Sequence, residues 1–231
     1  MRRVYQRVAV RAGDGGWTVA LNERSLRTPA GALLMLPSER LASAIAAEWD
    51  AQGQVIDPAS MPLFRLAATA LDRTAPRRDL IVRDTANYAA TDLVCYRAAA
   101  PPELVARQQA GWQPLLDWAA QRYDAALACT GGVLPAEQSP AALAAFATFV
   151  AAQDDFRLTA LHALTAACGS LVIALAVLER RLDAAAAFTL SQLDETFQIE
   201  SWGEDAEAAQ RRTGLAADID AAARFIALLE G

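Results

Sequence analysis

The chain has 231 residues, of which 54% are hydrophobic and 21% charged, which is enough apolar material for one large globular domain or two small ones. Its formal net charge is −6, and all 21 basic residues are arginine, so it lacks the basic surface that broad nucleic-acid or anionic-membrane binding requires. Three widely spaced cysteines, Cys95, Cys129 and Cys168, disfavour a disulfide framework or a zinc knuckle and favour a reducing compartment.

The N-terminal part alternates with period two, as Val8 and Val10 do with Arg7 and Arg11. The glycine-rich stretch 13–16 predicts a hairpin turn, and a second turn is expected at residues 28–31, before an extended stretch 33–36. This pattern predicts a small antiparallel sheet. No apolar core of a signal peptide precedes it, so we expect the mature protein to start here and to stay in the cytosol.

Helical spacing begins after Ser38, an N-cap residue followed by Leu41, Ile45 and Trp49 at intervals of four. The sequence therefore predicts an α+β fold, with an N-terminal antiparallel β domain at residues 1–37 and a helical domain at residues 38–231. The further helices are predicted at 62–72, 78–90, 103–123 with a break at Pro114, 140–153, 158–178, 183–202 and 205–229. Asp154 or Asp155 can cap the apolar helix that contains 158–178, and Asp183 and Asp205 can cap the last two helices.

The stretch from Leu158 to Leu178 is long enough to cross a bilayer and contains no charged residue apart from the titratable His162. Polar residues inside it, such as Thr165 and Ser170, and the lack of aromatic residues at its ends favour a buried central helix over a membrane span. A peripheral membrane protein using this stretch is the remaining alternative.

Residues that would support catalysis are scarce. The glycine-rich turn 13–16 has no lysine after it, and His162 and Cys168 are six positions apart, on different faces of one predicted helix. No metal site and no cofactor are predicted. Glu195, Glu200 and Glu204 could act as acid and base, so a small-molecule enzyme with a carboxylate site in a cleft between the β and helical parts is the alternative function.

The most informative segment is 191–204. On a single helix, Leu190, Leu193 and Phe197 fall on one side, and four further residues gather on the neighbouring side. That second set is polar except for one tryptophan, and it consists of Asp194, Glu195, Gln198 and Trp202. Trp202 precedes Gly203 and has two interpretations: it anchors a protein partner, or it tucks under the last helix. By contrast, the spacing of Trp49, Trp112 and Trp118 is typical of packing between helices.

Several motifs occur in a consistent order along nearly the whole chain. They are residues 26–31, Leu36-Pro37-Ser38, Glu48-Trp49-Asp50, Met61-Pro62-Leu63, 92–97, 112–118, and Phe197-Gln198 with Trp202-Gly203. With these motifs the chain resembles the ATP synthase assembly chaperones whose client is the alpha subunit of the catalytic head.

The resemblance implies a chaperone, not an enzyme, that binds the unassembled alpha subunit and prevents its aggregation until beta subunits replace it. It also implies that the acid before Phe197-Gln198 is functional, for which Asp194 and Glu195 are both candidates and Glu195 is favoured. The expected location is the bacterial cytoplasm. The expected client-binding residues are Glu195, Asp194, Gln198, Trp202 and Glu204, and the structural motif residues are Trp49, Glu48, Pro62, Asp92, Trp112, Trp118 and Gly203.

Overall fold

A computed structural model describes residues 2–132 and 134–230. Its N-terminal part contains a three-stranded antiparallel sheet in the order β1 (Val8–Gly13), β2 (Gly16–Leu21), β3 (Arg24–Ser25). The first turn requires glycine: Gly16 has φ +146°, and a Cβ there would lie 2.4 Å from the Leu36 carbonyl oxygen. The predicted sheet and its first hairpin are confirmed. The expected extended stretch 33–36 forms only isolated bridges, between Leu36 and Trp17 and between Leu33 and Arg27.

The rest of the described chain is mainly helical, which confirms the predicted α+β class. Ten α-helices lie within the described residues: α1 (Glu39–Asp50), α2 (Pro62–Thr69), α3 (Arg78–Asn87), α4 (Pro102–Tyr123), α5 (Pro140–Ala151), α6 (Asp155–Cys168), α7 (Leu171–Leu178), α8 (Ala184–Ser191), α9 (Leu193–Trp202) and α10 (Ala206–Leu229). Ser38 caps α1 by accepting a hydrogen bond from the Leu41 amide, as its position predicted.

Two predicted helices are each divided in the structure, so those predictions are wrong. The predicted helix 158–178 is interrupted because Gly169 adopts φ +63° and the Ser170 side chain caps α7 by accepting from the Ile173 amide at 3.0 Å. The predicted helix 183–202 is interrupted at Gln192, whose backbone (φ −110°, ψ 21°) leaves the helical region between α8 and α9.

The expected break at Pro114 is also wrong, because α4 continues through this residue. A proline inside a helix removes one backbone hydrogen bond, but its neighbours Trp112 and Leu115 are 0% and 3% exposed and hold both sides of the helix in the core. The predicted helix 62–72 ends earlier, at Thr69, and a π-helical turn (Ala70–Thr74) and a 3-10 turn (Ala75–Arg77) lead into α3.

The described chain divides into two compact units. The first contains residues 2–78, 154–160 and 224–230, and the second contains residues 79–132, 134–153 and 161–223. In the first unit the sheet packs on α1 through fully buried side chains such as Val19 and Ile45. The C-terminal end of the chain returns to this unit, where Phe225 stacks on Phe156 with ring centroids 6.4 Å apart. The predicted domain division after residue 37 remains a prediction.

Helix α7 forms the centre of the second unit, and seven of its eight residues are buried. Asp92 lies at its N-terminal end, fully buried, and its carboxylate accepts hydrogen bonds from the Val172 amide at 3.0 Å and the Val94 amide at 3.2 Å. Burial raises the pKa of Asp92 to about 6, although these hydrogen bonds oppose the increase. Among the described residues, no helix is sufficiently long and apolar to pass through a bilayer.

Candidate functional site

The segment predicted to bind a client lies on α8 and α9, in the second unit. The bend at Gln192 places Leu190 on α8, whereas Leu193 and Phe197 lie on α9. The prediction of one continuous helical stripe is therefore wrong, although both helices pack on α4. Gly111 of α4 allows this approach, because a Cβ there would lie 2.9 Å from Leu190 Cδ2 and 3.3 Å from Leu193 Cδ1.

Helix α4 also binds this segment through polar side chains. The Trp112 indole Nε1 donates a hydrogen bond to the Leu190 carbonyl oxygen at 2.9 Å. Gln108, which is 2% exposed, donates from Nε2 to Asp194 Oδ1 at 2.7 Å and accepts from the Ala98 amide at 2.8 Å. The Asp194 carboxylate is therefore part of the internal bonding that holds α9 on α4.

A second polar contact joins the same two helices nearer the end of α9. Arg107 of α4 forms an ion pair with Glu200 at 2.7 Å, and its guanidinium lies 5.3 Å from the centroid of the Phe197 ring. Because both side chains of the ion pair are about half exposed, its contribution to stability is about 1 kcal/mol at most. Its geometric effect is to fix the side of α9 that faces α4.

Arg212 of α10 binds the other side of α9. Its Nη1 donates to Gln192 Oε1 at 3.4 Å, its Nη2 donates to Thr196 Oγ1 at 3.2 Å, and its Nε pairs with Glu204 Oε1 at 3.2 Å. The Glu204 carboxylate is thus used within the fold, as that of Asp194 is. Between α9 and α10, a shallow cleft of about 370 Å³ is lined by Gln192, Glu195, Arg211 and Leu215, among others.

Three of the five predicted client-binding residues point outward from this framework. Trp202 is 81% exposed, and Glu195 and Gln198 are also exposed. Within residues 2–132 and 134–230, the side chains of these three residues form no hydrogen bond or ion pair. The interpretation that Trp202 tucks under the last helix is wrong. Gly203 ends α9 with φ +86°, and its amide donates to the Ile199 carbonyl oxygen at 2.8 Å.

The remaining motif residues serve packing or capping. The Glu48 carboxylate accepts from the amides of Leu63 and Phe64, both at 2.8 Å, next to Pro62 at the start of α2. Trp49 is 4% exposed and Trp112 is fully buried. Trp118 packs edge-on against Tyr123 with ring centroids 5.5 Å apart.

Groups suited to catalysis are not brought together in the described part of the chain. His162 is partly buried, its Nδ1 lies 3.0 Å from Thr85 Oγ1, and burial lowers its pKa. The three cysteines are free thiols, and no group of three or more His, Cys, Asp and Glu side chains that could hold a metal ion is present among residues 2–132 and 134–230. Glu195, Glu200 and Glu204 do not converge on one cavity, because Glu200 and Glu204 pair with arginines of different helices.

Arg107, Gln108 and Arg212 define the outward face of α9, and the sequence reasoning missed all three. Arg107 and Gln108 lie on α4 and Arg212 lies on α10, so no spacing pattern within α9 connects them with their partners. The one available signal was the combination of acids in segment 191–204 with arginines on other predicted amphipathic helices, which does not specify pairs.

Comparison with known proteins finds related sequences and structures. A sequence model described as ATP12 chaperone protein matches residues 2–120. Among curated proteins, the mitochondrial atp12 protein of Schizosaccharomyces pombe is 23% identical over 219 residues, which cover 89% of this chain and 75% of that protein.

Solved structures are similar over the full length. The crystal structure of Atp12 from Paracoccus denitrificans is 45% identical, with a TM-score of 0.95, and the match covers 99% of this chain and 98% of that one. An aspartate-to-lysine mutant of the same protein matches equally well. A protein from Agrobacterium tumefaciens is 39% identical, with a TM-score of 0.94, over 99% of this chain and 86% of that one.

Proposed function

The chain belongs to the ATP12 chaperone protein family, which makes it an assembly chaperone of ATP synthase, and we propose that its client is the unassembled alpha subunit. In this proposal the protein covers apolar surface that the alpha subunit later buries against beta subunits, and so prevents self-association. Binding that is displaced by beta subunits must be of moderate strength. The expected place of action is the cytoplasm of a bacterium.

The observation that carries the proposal is the exposed Trp202 beside two free polar side chains. Tryptophan is large and mostly apolar, so 81% exposure of its surface to water is unfavourable unless a partner covers it. Tryptophan is also among the residues that contribute most to binding at protein interfaces. The carboxylate of Glu195 and the amide of Gln198 would supply directional contacts around this anchor.

Asp194 and Glu195 differ in what a substitution would remove. Asp194 accepts from the buried Gln108 amide, so its loss would leave that donor without a partner and loosen α9 from α4. Glu195 forms no hydrogen bond or ion pair within the described residues, so its loss would change only the charge of the outward face. We therefore assign client contact to Glu195 and a positioning role to Asp194.

The alternative, a small-molecule enzyme, would need convergent acids in a cleft with perturbed pKa values. A groove next to the sheet is instead lined by three arginines, and its one acid, Asp72, is hydrogen-bonded to Thr28 Oγ1 and the Ala30 amide. This arrangement supports a binding role over acid–base catalysis. The proposal accordingly includes neither catalysis nor a cofactor.

The test follows light scattering while purified alpha subunit refolds alone or with this protein. We expect the wild-type chain to suppress scattering, and Glu195→Lys to lose most of this effect because a client arginine would then meet a like charge. Circular dichroism should show an unchanged fold, since Glu195 is exposed. Refolding beta subunit serves as the client control.

Glu137→Lys is the matched control variant, because Glu137 is also exposed, lies outside the α9 surface and undergoes the same charge change. It should protect as well as the wild type. Equal protection by Glu195→Lys and Glu137→Lys would exclude Glu195 as a contact, and a wild-type chain without any effect on alpha-subunit scattering would contradict the proposed client.

A further inference from the structure

A groove in the first unit lies where the turn after β3 approaches α1 and α2. Its volume is about 820 Å³, and it is open to solvent along one side. Residues 27–29 form one wall, α2 and the π-helical turn after it form the other, and Trp49 of α1 and Ile56 lie between them. None of the residues assigned to client contact on α9 lines it.

The floor of the groove is apolar and held in place. Trp49, Met61 and Phe64 are 4%, 1% and 8% exposed, and the rings of Trp49 and Phe64 meet edge to face with centroids 5.1 Å apart. The Glu48 carboxylate fixes the start of α2 by accepting from the Leu63 and Phe64 amides. The floor is therefore already shaped for an apolar side chain, and binding there would require little ordering of protein groups.

The rim of the groove is basic. Arg27, Arg65 and Arg73 are exposed lining residues, and Asp72 is the one lining acid, which leaves a local formal charge of +3 − 1 = +2. Within residues 2–132 and 134–230, Arg65 and Arg73 form no ion pair, and Arg27 donates only to the Gly31 carbonyl oxygen at 2.8 Å. The Asp72 carboxylate accepts from Thr28 Oγ1 at 2.6 Å and the Ala30 amide at 3.0 Å, so it holds the opposite wall.

We propose that this groove is a second client site, which binds an extended polypeptide segment carrying an aspartate or glutamate next to an aliphatic or aromatic side chain. The apolar side chain would fill the space above Trp49 and Phe64, and the carboxylate would pair with the arginines of the rim. Arginine is suited to this role because its planar guanidinium binds a carboxylate through two parallel hydrogen bonds.

The charge of the groove is what selects this occupant. The chain as a whole carries a formal net charge of −6, so its summed charge disfavours acidic partners. A local site of charge +2 over an apolar floor therefore favours acidic apolar segments and disfavours basic ones. This inference rests on the proposed function, because it takes the segment to be part of the client.

The direct test is an NMR titration with two ten-residue peptides that differ at one position, one with Asp-Leu-Phe and one with Lys-Leu-Phe at the centre. The indole signal of Trp49, assigned with Trp49→Phe, reports on the floor. We expect the aspartate peptide to shift this signal in a saturable way, and the lysine peptide to bind at least about tenfold more weakly.

Arg73→Glu should weaken binding of the aspartate peptide by about tenfold, because an attractive rim charge becomes repulsive. Arg83→Glu is its matched control, since Arg83 is exposed on α3 and does not line the groove. Equal binding of the two peptides, an equal loss in both variants, or no shift of the Trp49 signal would each overturn the inference.

The scattering assay separates this inference from the proposed function. Thr69→Trp places a large ring at the rim of the groove, and Thr148→Trp is the matched control, because each threonine is exposed and bonds to the carbonyl oxygen four residues earlier in its helix. Reduced protection by Thr69→Trp alone would support the groove as a client site. Full protection by both variants would show that the groove is not a client site and would leave the proposed function intact. No protection by the wild type would contradict the proposed function itself.

Discussion

Helices α7 and α9 both belong to the second unit, and they are held there by different forces. Seven of the eight residues of α7 are buried, so its position follows from the transfer of apolar surface out of water. No residue of α9 is buried, and it is held by Gln108, Arg107 and Arg212 from its two neighbouring helices. The position of α7 is therefore fixed by its own composition, whereas the position of α9 depends on side chains of its neighbours and leaves one face exposed.

The largest effect is expected when three side-chain carbon atoms are removed from each helix in turn, which compares the burial of α7 with that of α9. Leu175→Ala in α7 should lower the free energy of unfolding by about 2–5 kcal/mol, because the residue is fully buried and leaves a cavity. Ile199→Ala in α9 should cost about 1 kcal/mol, since that side chain is only half-buried. Urea unfolding followed by circular dichroism measures both values, and similar losses would show that α9 is part of the core.

The pH dependence of stability would test the buried Asp92 at the N-terminal end of α7. Because burial raises the pKa of Asp92 from 3.8 to about 6, the folded state holds a proton there that the unfolded state releases. The stabilising contribution of this proton is fully present below pH 4 and is lost as the pH rises through 6, with a magnitude on the order of 3 kcal/mol.

Urea unfolding between pH 4 and pH 7 should therefore show a slope in the wild type that Asp92→Asn lacks. The variant is also expected to be less stable throughout, because its amide nitrogen cannot accept from the Val94 or Val172 amide. An identical pH dependence in both proteins would mean that Asp92 is not the titrating group.

The smallest effects are expected on α9, where neighbouring acids should behave differently. Asp194→Ala should lower the free energy of unfolding by about 1–3 kcal/mol, since it leaves the buried Gln108 amide without its acceptor. Glu195→Ala should stay within about 0.5 kcal/mol of the wild type, because its side chain is exposed and forms no hydrogen bond or ion pair within the described residues. Thermal or urea unfolding measures the stability of both variants. Equal losses of stability would contradict the assignment of a positioning role to Asp194 and a contact role to Glu195.

Much of the local structure could be predicted because it depends on short-range chemistry. The hairpin at residues 13–16 follows from glycines that tolerate positive φ, and Ser38, Asp183 and Asp205 cap helices as their positions suggested. The failures have two causes: tertiary packing around Pro114, and local backbone breaks at Gly169 and Gln192 that the apolar periodicity conceals. Buried neighbours hold α4 together around Pro114, while Gly169 and Gln192 divide segments whose apolar periodicity looked continuous.

The candidate site could be predicted only in part from the sequence, because several of its contacts join different helices. The sequence predicts a client-binding surface on segment 191–204, and Trp202, Glu195 and Gln198 are exposed there. That Asp194 and Glu204 are instead bonded within the fold could not be predicted, because their partners Gln108 and Arg212 lie on other helices. The basic groove was missed altogether, since Arg27, Arg65 and Arg73 come together only because the turn after β3 is bonded to the π-helical turn that follows α2.

The sequence by itself determined the α+β class, most helix starts and the resemblance to a chaperone family, because periodicity, caps and motif order are properties of neighbouring residues. Only the tertiary structure decided which of two adjacent acids faces outward and where three arginines surround an apolar floor. Those outcomes depend on contacts between residues distant in the chain, and the formation of such contacts is governed by the burial of whole helices rather than by any local preference.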